Sequence, residues 1–167
     1  MVLDIEKALE NAGAIFHAEL SEEISSENLP TDCEFADAVK LSVDYTITDD
    51  GLLLWGKLVA SIKASCARCL NEIIYPVEAE LSEVYKEHSA DEDDAYPFEG
   101  EQVVLDKMVA DQILLKLPVR FLCSEDCKGL CPNCGKNLNE GDCGCKSGTE
   151  DEIPANNPFS GLKGLFD

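Results

Sequence analysis

The chain has 167 residues and a formal net charge of −21, from 34 acidic and 13 basic side chains. Such an excess of negative charge repels a phosphate backbone, whose binding relies on Lys and Arg displacing counterions, so a basic protein surface is the natural partner. With 45% hydrophobic residues the chain can bury the core of one domain; no apolar run approaches the roughly 18 residues of a membrane span, and an acidic N-terminus without a signal region predicts a cytoplasmic protein.

Residues 1–37 carry ten acidic side chains against Lys7. Within them 5–9 reads as a helix or short strand and 14–20 as a strand. Cys33 stands alone and reads as a small buried hydrophobe. His17, and His88 further on, read as solvated side chains rather than ligands. At 39–47 the pattern sharpens: Val39, Leu41, Val43, Tyr45 and Ile47 alternate with polar residues, the period of a half-buried strand. Asp49-Asp50-Gly51 supplies a hairpin turn. The return strand, 52–66, places Leu54, Leu58, Ala60, Ile62 and Ala64 on one face and delivers Cys66-Ala67-Arg68-Cys69 at its end. A third strand, 73–85, turns Tyr75, Val77, Ala79 and Leu81 inward. The acidic run 87–94 reads as a solvated loop. At 105–117 the period changes: Leu105, Met108, Val109, Ile113 and Leu117 recur at helical spacing, and Pro118 ends the helix.

The stretch 123–145 holds six cysteines. Cys131-Pro132-Asn133-Cys134-Gly135 is a Cys-x-x-Cys turn that aims two sulfurs at one centre; its N–H groups can donate to the first thiolate, and Gly135 can take the positive φ that closes the turn. Cys143-Gly144-Cys145 is close enough to complete a tetrahedron. The distant Cys66–Cys69 pair needs two more ligands, and Cys123 and Cys127 remain. The spacing therefore predicts two structural Zn²⁺ sites, Cys66, Cys69, Cys123 and Cys127 in one, Cys131, Cys134, Cys143 and Cys145 in the other. The evenly spaced Cys123, Cys127 and Cys131 could trade places, and a single tail zinc with Cys66 and Cys69 as plain buried thiols is the other arrangement. An odd count of nine cysteines and a reducing compartment argue for metal over disulfides.

The fold class expected is α+β: an antiparallel β-meander packed by one main helix, with a C-terminal cysteine-rich zinc-knuckle module. The body would span 1–122, the module 123–146, and a linker with a short helix capped by Asn157 and Pro158 the remainder, 147–167. No glycine-rich phosphate loop or Ser/His/Asp arrangement is present, and a closed four-cysteine zinc has no water to activate, so no enzymatic activity is expected.

The strings Leu115-Lys116-Leu117-Pro118, Cys123-Ser124-Glu125-Asp126-Cys127-Lys128-Gly129-Leu130-Cys131-Pro132-Asn133-Cys134-Gly135 and Asn137-Leu138-Asn139, with Cys66-Ala67-Arg68-Cys69, resemble the YceD family, the large ribosomal RNA subunit accumulation proteins of bacteria and plastids. The resemblance implies a non-enzymatic role in large-subunit rRNA accumulation or ribosome assembly. In bacteria the family is often encoded beside a small, basic ribosomal protein. The expected role is an acidic, zinc-stabilised adaptor for a basic ribosomal protein or pre-ribosomal particle, recognising it near Arg120, Lys128 and Lys136. The alternative is a zinc module that binds rRNA directly.

Overall fold

The computed structural model describes residues 1–87 and 95–145. The expectations for His88, for the acidic run beyond Glu87 and for 147–167 lie outside the described residues. In chain order the elements are β1 (Val2–Asp4), α1 (Glu6–Glu10), β2 (Phe16–Glu22), a 3₁₀ turn (Ser26–Asn28), β3 (Cys33–Phe35), β4 (Val39–Thr48), β5 (Gly51–Ser65), β6 (Glu72–Glu87), β7 (Tyr96–Phe98), β8 (Gln102–Val104) and α2 (Asp106–Lys116).

The alternating stretches build the main sheet, in the order β2-β4-β5-β6-β7, with β3 added to β5 beyond the end of β4. All pairings in it are antiparallel except β6 with β7. The register sets apolar against apolar on the inner face: Leu41 opposite Leu58, Tyr45 opposite Leu54, Ala60 opposite Val77. Leu41, Val43, Leu54, Leu58, Ile62, Val77 and Leu81 are buried there. α2 lies against β6 and buries Met108, Val109 and Ile113 in the same core. Each fully buried aliphatic side chain contributes about 1.5–3 kcal/mol, so this face accounts for most of the sheet's stability. The protein is thus α+β, an antiparallel sheet packed by one principal helix and followed by a cysteine-rich segment.

Three features depart from a simple meander. β1 and β8 form a separate two-stranded sheet in which buried Leu3 faces buried Val103. β7 runs parallel to β6 at its far end. The segment 5–9 resolves as helix α1, with Ile5 and Ala8 fully buried. Cys33 is buried at 4% exposure, and burial, then Asp32, pushes its thiol up. His17 donates from Nδ1 to Asp44 Oδ1 at 2.8 Å, a bond that raises its pKa from 6.5. Among the described residues no helix is long and apolar enough to cross a membrane.

Candidate metal centres

β5 and β6 run past the edge of the apolar core as a long hairpin, and its tip is Cys66-Ala67-Arg68-Cys69. The turn is tied by Leu70 N–H to the Cys66 carbonyl (2.9 Å) and Cys66 N–H to the Asn71 carbonyl (2.8 Å). The downstream turn repeats it: Gly135 N–H donates to the Cys131 carbonyl (2.9 Å) and Cys131 N–H to the Lys136 carbonyl (2.8 Å). Leu70 therefore occupies the place of Gly135, and both have positive φ, 61° and 72°. For a leucine that backbone costs about 1–2 kcal/mol, and its side chain gains little in return, being 66% exposed. Leu70→Gly is expected to raise stability by up to about 1 kcal/mol after glycine's own entropy loss is subtracted; a thermal melt of the metal-loaded variant checks it.

After α2 the chain returns to the hairpin tip. Phe121 packs edge-on against Tyr75, with ring centroids 5.6 Å apart, and its carbonyl accepts from Ala67 N–H at 2.8 Å. Cys123 and Cys127 then meet the tip. Cys66 Sγ lies 3.8 Å from Cys127 Sγ, and Cys69 Sγ lies 3.6 Å from Cys123 Sγ. Arg68 clamps the segment with Nη1, donating to the carbonyls of Cys127 (2.9 Å) and Glu125 (3.2 Å). Its own carbonyl accepts from Leu130 N–H at 3.1 Å.

The eight sulfurs form two tetrads, Cys66, Cys69, Cys123 and Cys127, and Cys131, Cys134, Cys143 and Cys145, each with all sulfurs within 4.8 Å of one another. Cys123 and Cys127 join the hairpin pair and Cys131 the downstream one. A metal–sulfur bond of ~2.3 Å gives a tetrahedron with edges of about 3.8 Å, which the 3.8 and 3.6 Å contacts of the first tetrad match; a disulfide would need ~2.05 Å. The first tetrad is the more sheltered: Cys66, Cys69 and Cys127 are buried and cluster with Leu122 and Leu130, and Cys123 is exposed. The second is open, with Cys134 and Cys145 exposed.

The electrostatics call for a cation. The Cys69 N–H, working against burial and helped by the Arg68 N–H, brings the Cys66 thiol down to about 6. The N–H groups of Cys134 and Asn133 bring Cys131 down to about 6 in the same way. The last proton in each group resists removal. Although the Asn71 N–H pulls Cys69 down, burial and the neighbouring sulfurs outweigh it and push its thiol up to about 12; the sulfurs of Cys134 and then Cys143 push Cys145 up to about 12. Four thiolates this close are stable together only around positive charge. Both tetrads could therefore bind a metal ion.

Spacing does not reveal the residues that join the tetrads. Asn139, on the loop of the second, donates from Nδ2 to Cys127 Sγ of the first at 3.3 Å, while its Oδ1 accepts from Lys128 N–H at 2.8 Å. Asn137 steadies it, accepting from Asn139 Nδ2 at 2.9 Å. A donor to a thiolate holds the sulfur's orientation and lowers its pKa, and the Asn139 amide is the chief cause of the lowered Cys127 pKa. Asn139→Ala is expected to weaken metal at the first tetrad about 10- to 100-fold and leave the second near its original affinity; competition titration against a chromogenic chelator reads both.

Comparison with known proteins finds relatives in bacteria and plants. A Mycobacterium tuberculosis protein, Rv2926c, is 32% identical over 95 residues, covering 53% of this chain and 46% of its own length. YlbN of Bacillus subtilis is 30% identical over 102 residues, covering 59% of this chain and 53% of its own. An Arabidopsis thaliana protein named large ribosomal RNA subunit accumulation protein YCED homolog 1, chloroplastic, is 31% identical over 68 residues, 41% of this chain and 21% of its own. The matched stretch thus spans about half the length of the bacterial relatives and less of the plant one. No solved structure matches. The profile of the family described as large ribosomal RNA subunit accumulation protein YceD matches residues 54–166, from within β5 through both tetrads, and on that match the chain belongs to the YceD family.

Proposed function

We propose that each tetrad holds one structural Zn²⁺ through Cys66, Cys69, Cys123 and Cys127 and through Cys131, Cys134, Cys143 and Cys145, and that the protein supports large-subunit rRNA accumulation as an acidic adaptor for a basic ribosomal protein or assembly intermediate. All-sulfur tetrahedra suit zinc, which needs no redox partner and fills its coordination with the four thiolates. Zinc so enclosed has no open position for substrate, which supports a non-enzymatic role. In this reading the body, 1–122, carries the hairpin tip, and the module, 123–146, docks on it to form one rigid cytoplasmic unit.

The observation that carries the adaptor reading is the charge around the tetrads. Between 119 and 145 the basic residues Arg120, Lys128 and Lys136 are outnumbered by Glu125, Asp126, Glu140 and Asp142. Each filled tetrad adds two net negative charges. Arg68 is spent on main-chain carbonyls and Lys136 Nζ donates to the Asp142 carbonyl at 3.0 Å. That balance favours a cationic protein over a phosphate backbone. Capture on the tagged, zinc-loaded chain from a nuclease-treated lysate tests it. A basic large-subunit ribosomal protein should remain bound; loss of every ribosomal partner on digestion would leave the rRNA-binding alternative.

A further inference from the structure

We propose that the free edge of β6 between Ile74 and Ser82 takes an extended segment of the partner, one that alternates basic and apolar residues, as an added strand; this deepens the adaptor reading and rests on it. Among the described residues β6 is a terminal strand of the sheet over most of its length, because β7 pairs only with Tyr85, Lys86 and Glu87. Which main-chain groups face outward follows from Pro76. It lies opposite Ser61, and the Ser61 carbonyl accepts from Ala36 N–H at 2.8 Å on the β3 side, away from β6. Pro76 has no N–H to give, so this is a pair without hydrogen bonds across it, and such pairs alternate along an antiparallel ladder. Ile74, Glu78, Glu80 and Ser82 share that phase. Their N–H and C=O groups point out of the sheet, and none has a main-chain partner among the described residues.

The side chains at this edge specify the occupant. Glu78 and Glu80 stand exposed on the outer face opposite Val59 and Lys57, and neither forms an ion pair among the described residues. Glu72 on the same face is instead paired with Lys63 at 2.9 Å. A strand laid along the edge would place alternate side chains beside Glu78 and Glu80, where cations are favoured. The residues between would turn toward the inner face beside Val77, Ala79 and Leu81, where apolar groups are favoured. A second copy of this chain would bring its own Glu78 and Glu80 against these, and like charges across a pair repel. The charges that keep copies apart thus select a cationic strand, with main-chain bonds supplying affinity and the alternation supplying specificity.

The test uses the full, zinc-loaded chain and a synthetic peptide alternating lysine and valine, followed by amide NMR. Shifts and slowed exchange are expected at the amides of Glu78, Glu80 and Ser82. The same peptide N-methylated along its main chain keeps its charge but not its donors, and should bind at least tenfold more weakly. Glu78→Gln with Glu80→Gln should weaken the parent peptide several-fold. Equal binding of the methylated peptide, shifts confined to other surfaces, or pairing of two chains through this edge would each overturn the proposal. Because the peptide reports on the edge alone, its pairing there together with loss of every ribosomal partner in the nuclease-treated capture would overturn the adaptor reading and leave the edge standing.

Discussion

Replacing Cys69 with serine is expected to release one of the two proposed zinc ions and to melt 123–130, the part of the cysteine-rich segment held by the first tetrad, while leaving the sheet folded. The two apolar clusters of the structure are separate. The sheet core does not contain Cys66, Cys69 or Cys127, which cluster with Leu122 and Leu130 instead. Beyond Phe121 what ties 123–139 to the hairpin tip is sulfur, the Arg68 clamp, the packing of Leu130, a long Asn137–Asn71 side-chain bond of 3.5 Å and a few main-chain bonds, too little burial to offset the entropy of ordering the segment. The cross-link joins residues 54 apart in sequence, and closing a loop of that length removes about 4 kcal/mol of denatured-state entropy by the relation used for disulfides. Metal–thiolate bonding adds to it; structural zinc contributes on the order of 10 kcal/mol in finger peptides. Hydrogen exchange should therefore show a hundredfold or greater loss of protection between 123 and 130, with little change in β4 and β5 and with the turn of the second tetrad, 131–136, still protected. Protection lost equally throughout would mean the module and the sheet fold as one. In the unaltered chain a chelator should empty the second tetrad before the first, because Cys134 and Cys145 are exposed whereas Cys66, Cys69 and Cys127 are buried.

The second large effect lies in the sheet. Gly56 sits in the middle of β5 opposite Val43, and a Cβ there would fall 2.1 Å from the Ser42 carbonyl oxygen and 2.7 Å from the Val43 Cα. Both obstacles are main chain, which no rotamer change can move aside. β4 would have to separate from β5, opening the face that buries Leu41, Val43, Leu54 and Leu58. Gly56→Ala is expected to cost about 3 kcal/mol or more, roughly 10 °C in Tm, with zinc content unchanged in whatever remains folded. A loss below about 1 kcal/mol would show that β4 and β5 are not so closely apposed at this point.

What could be read from residue order follows from what has a local period. β4, β5 and β6 alternate over 10 to 16 residues and α2 repeats over 11, so burial on one face is written into neighbouring positions. The two Cys-x-x-Cys pairs were legible for a similar reason, since a turn of four residues fixes where two sulfurs point. Which of Cys123, Cys127 and Cys131 joins which pair was not, because their even spacing lets them trade places and only the return of the chain to the hairpin tip decides it. β1 and β8 were not legible. Each has three residues, too few for a period, and they find each other across the whole body. β7 is equally short, and its parallel seat on β6 leaves no local pattern. Arg68 looks like a spacer between two cysteines until 125–127 is folded beside it, and Asn139 looks like a loop residue until Cys127 arrives within 3.3 Å. Leu70 gave the opposite signal, because a bulky residue ordinarily argues against the positive φ it adopts.

Native mass spectrometry of the full, freshly reduced chain, combined with its metal content, tests the central claim that sulfur-bound metal knits the hairpin tip to the cysteine-rich segment. Two zinc ions per chain are expected, each lost with its own tetrad when Cys69 or Cys134 is replaced by serine. A chain that carries no metal and still protects 123–139 from exchange would contradict it.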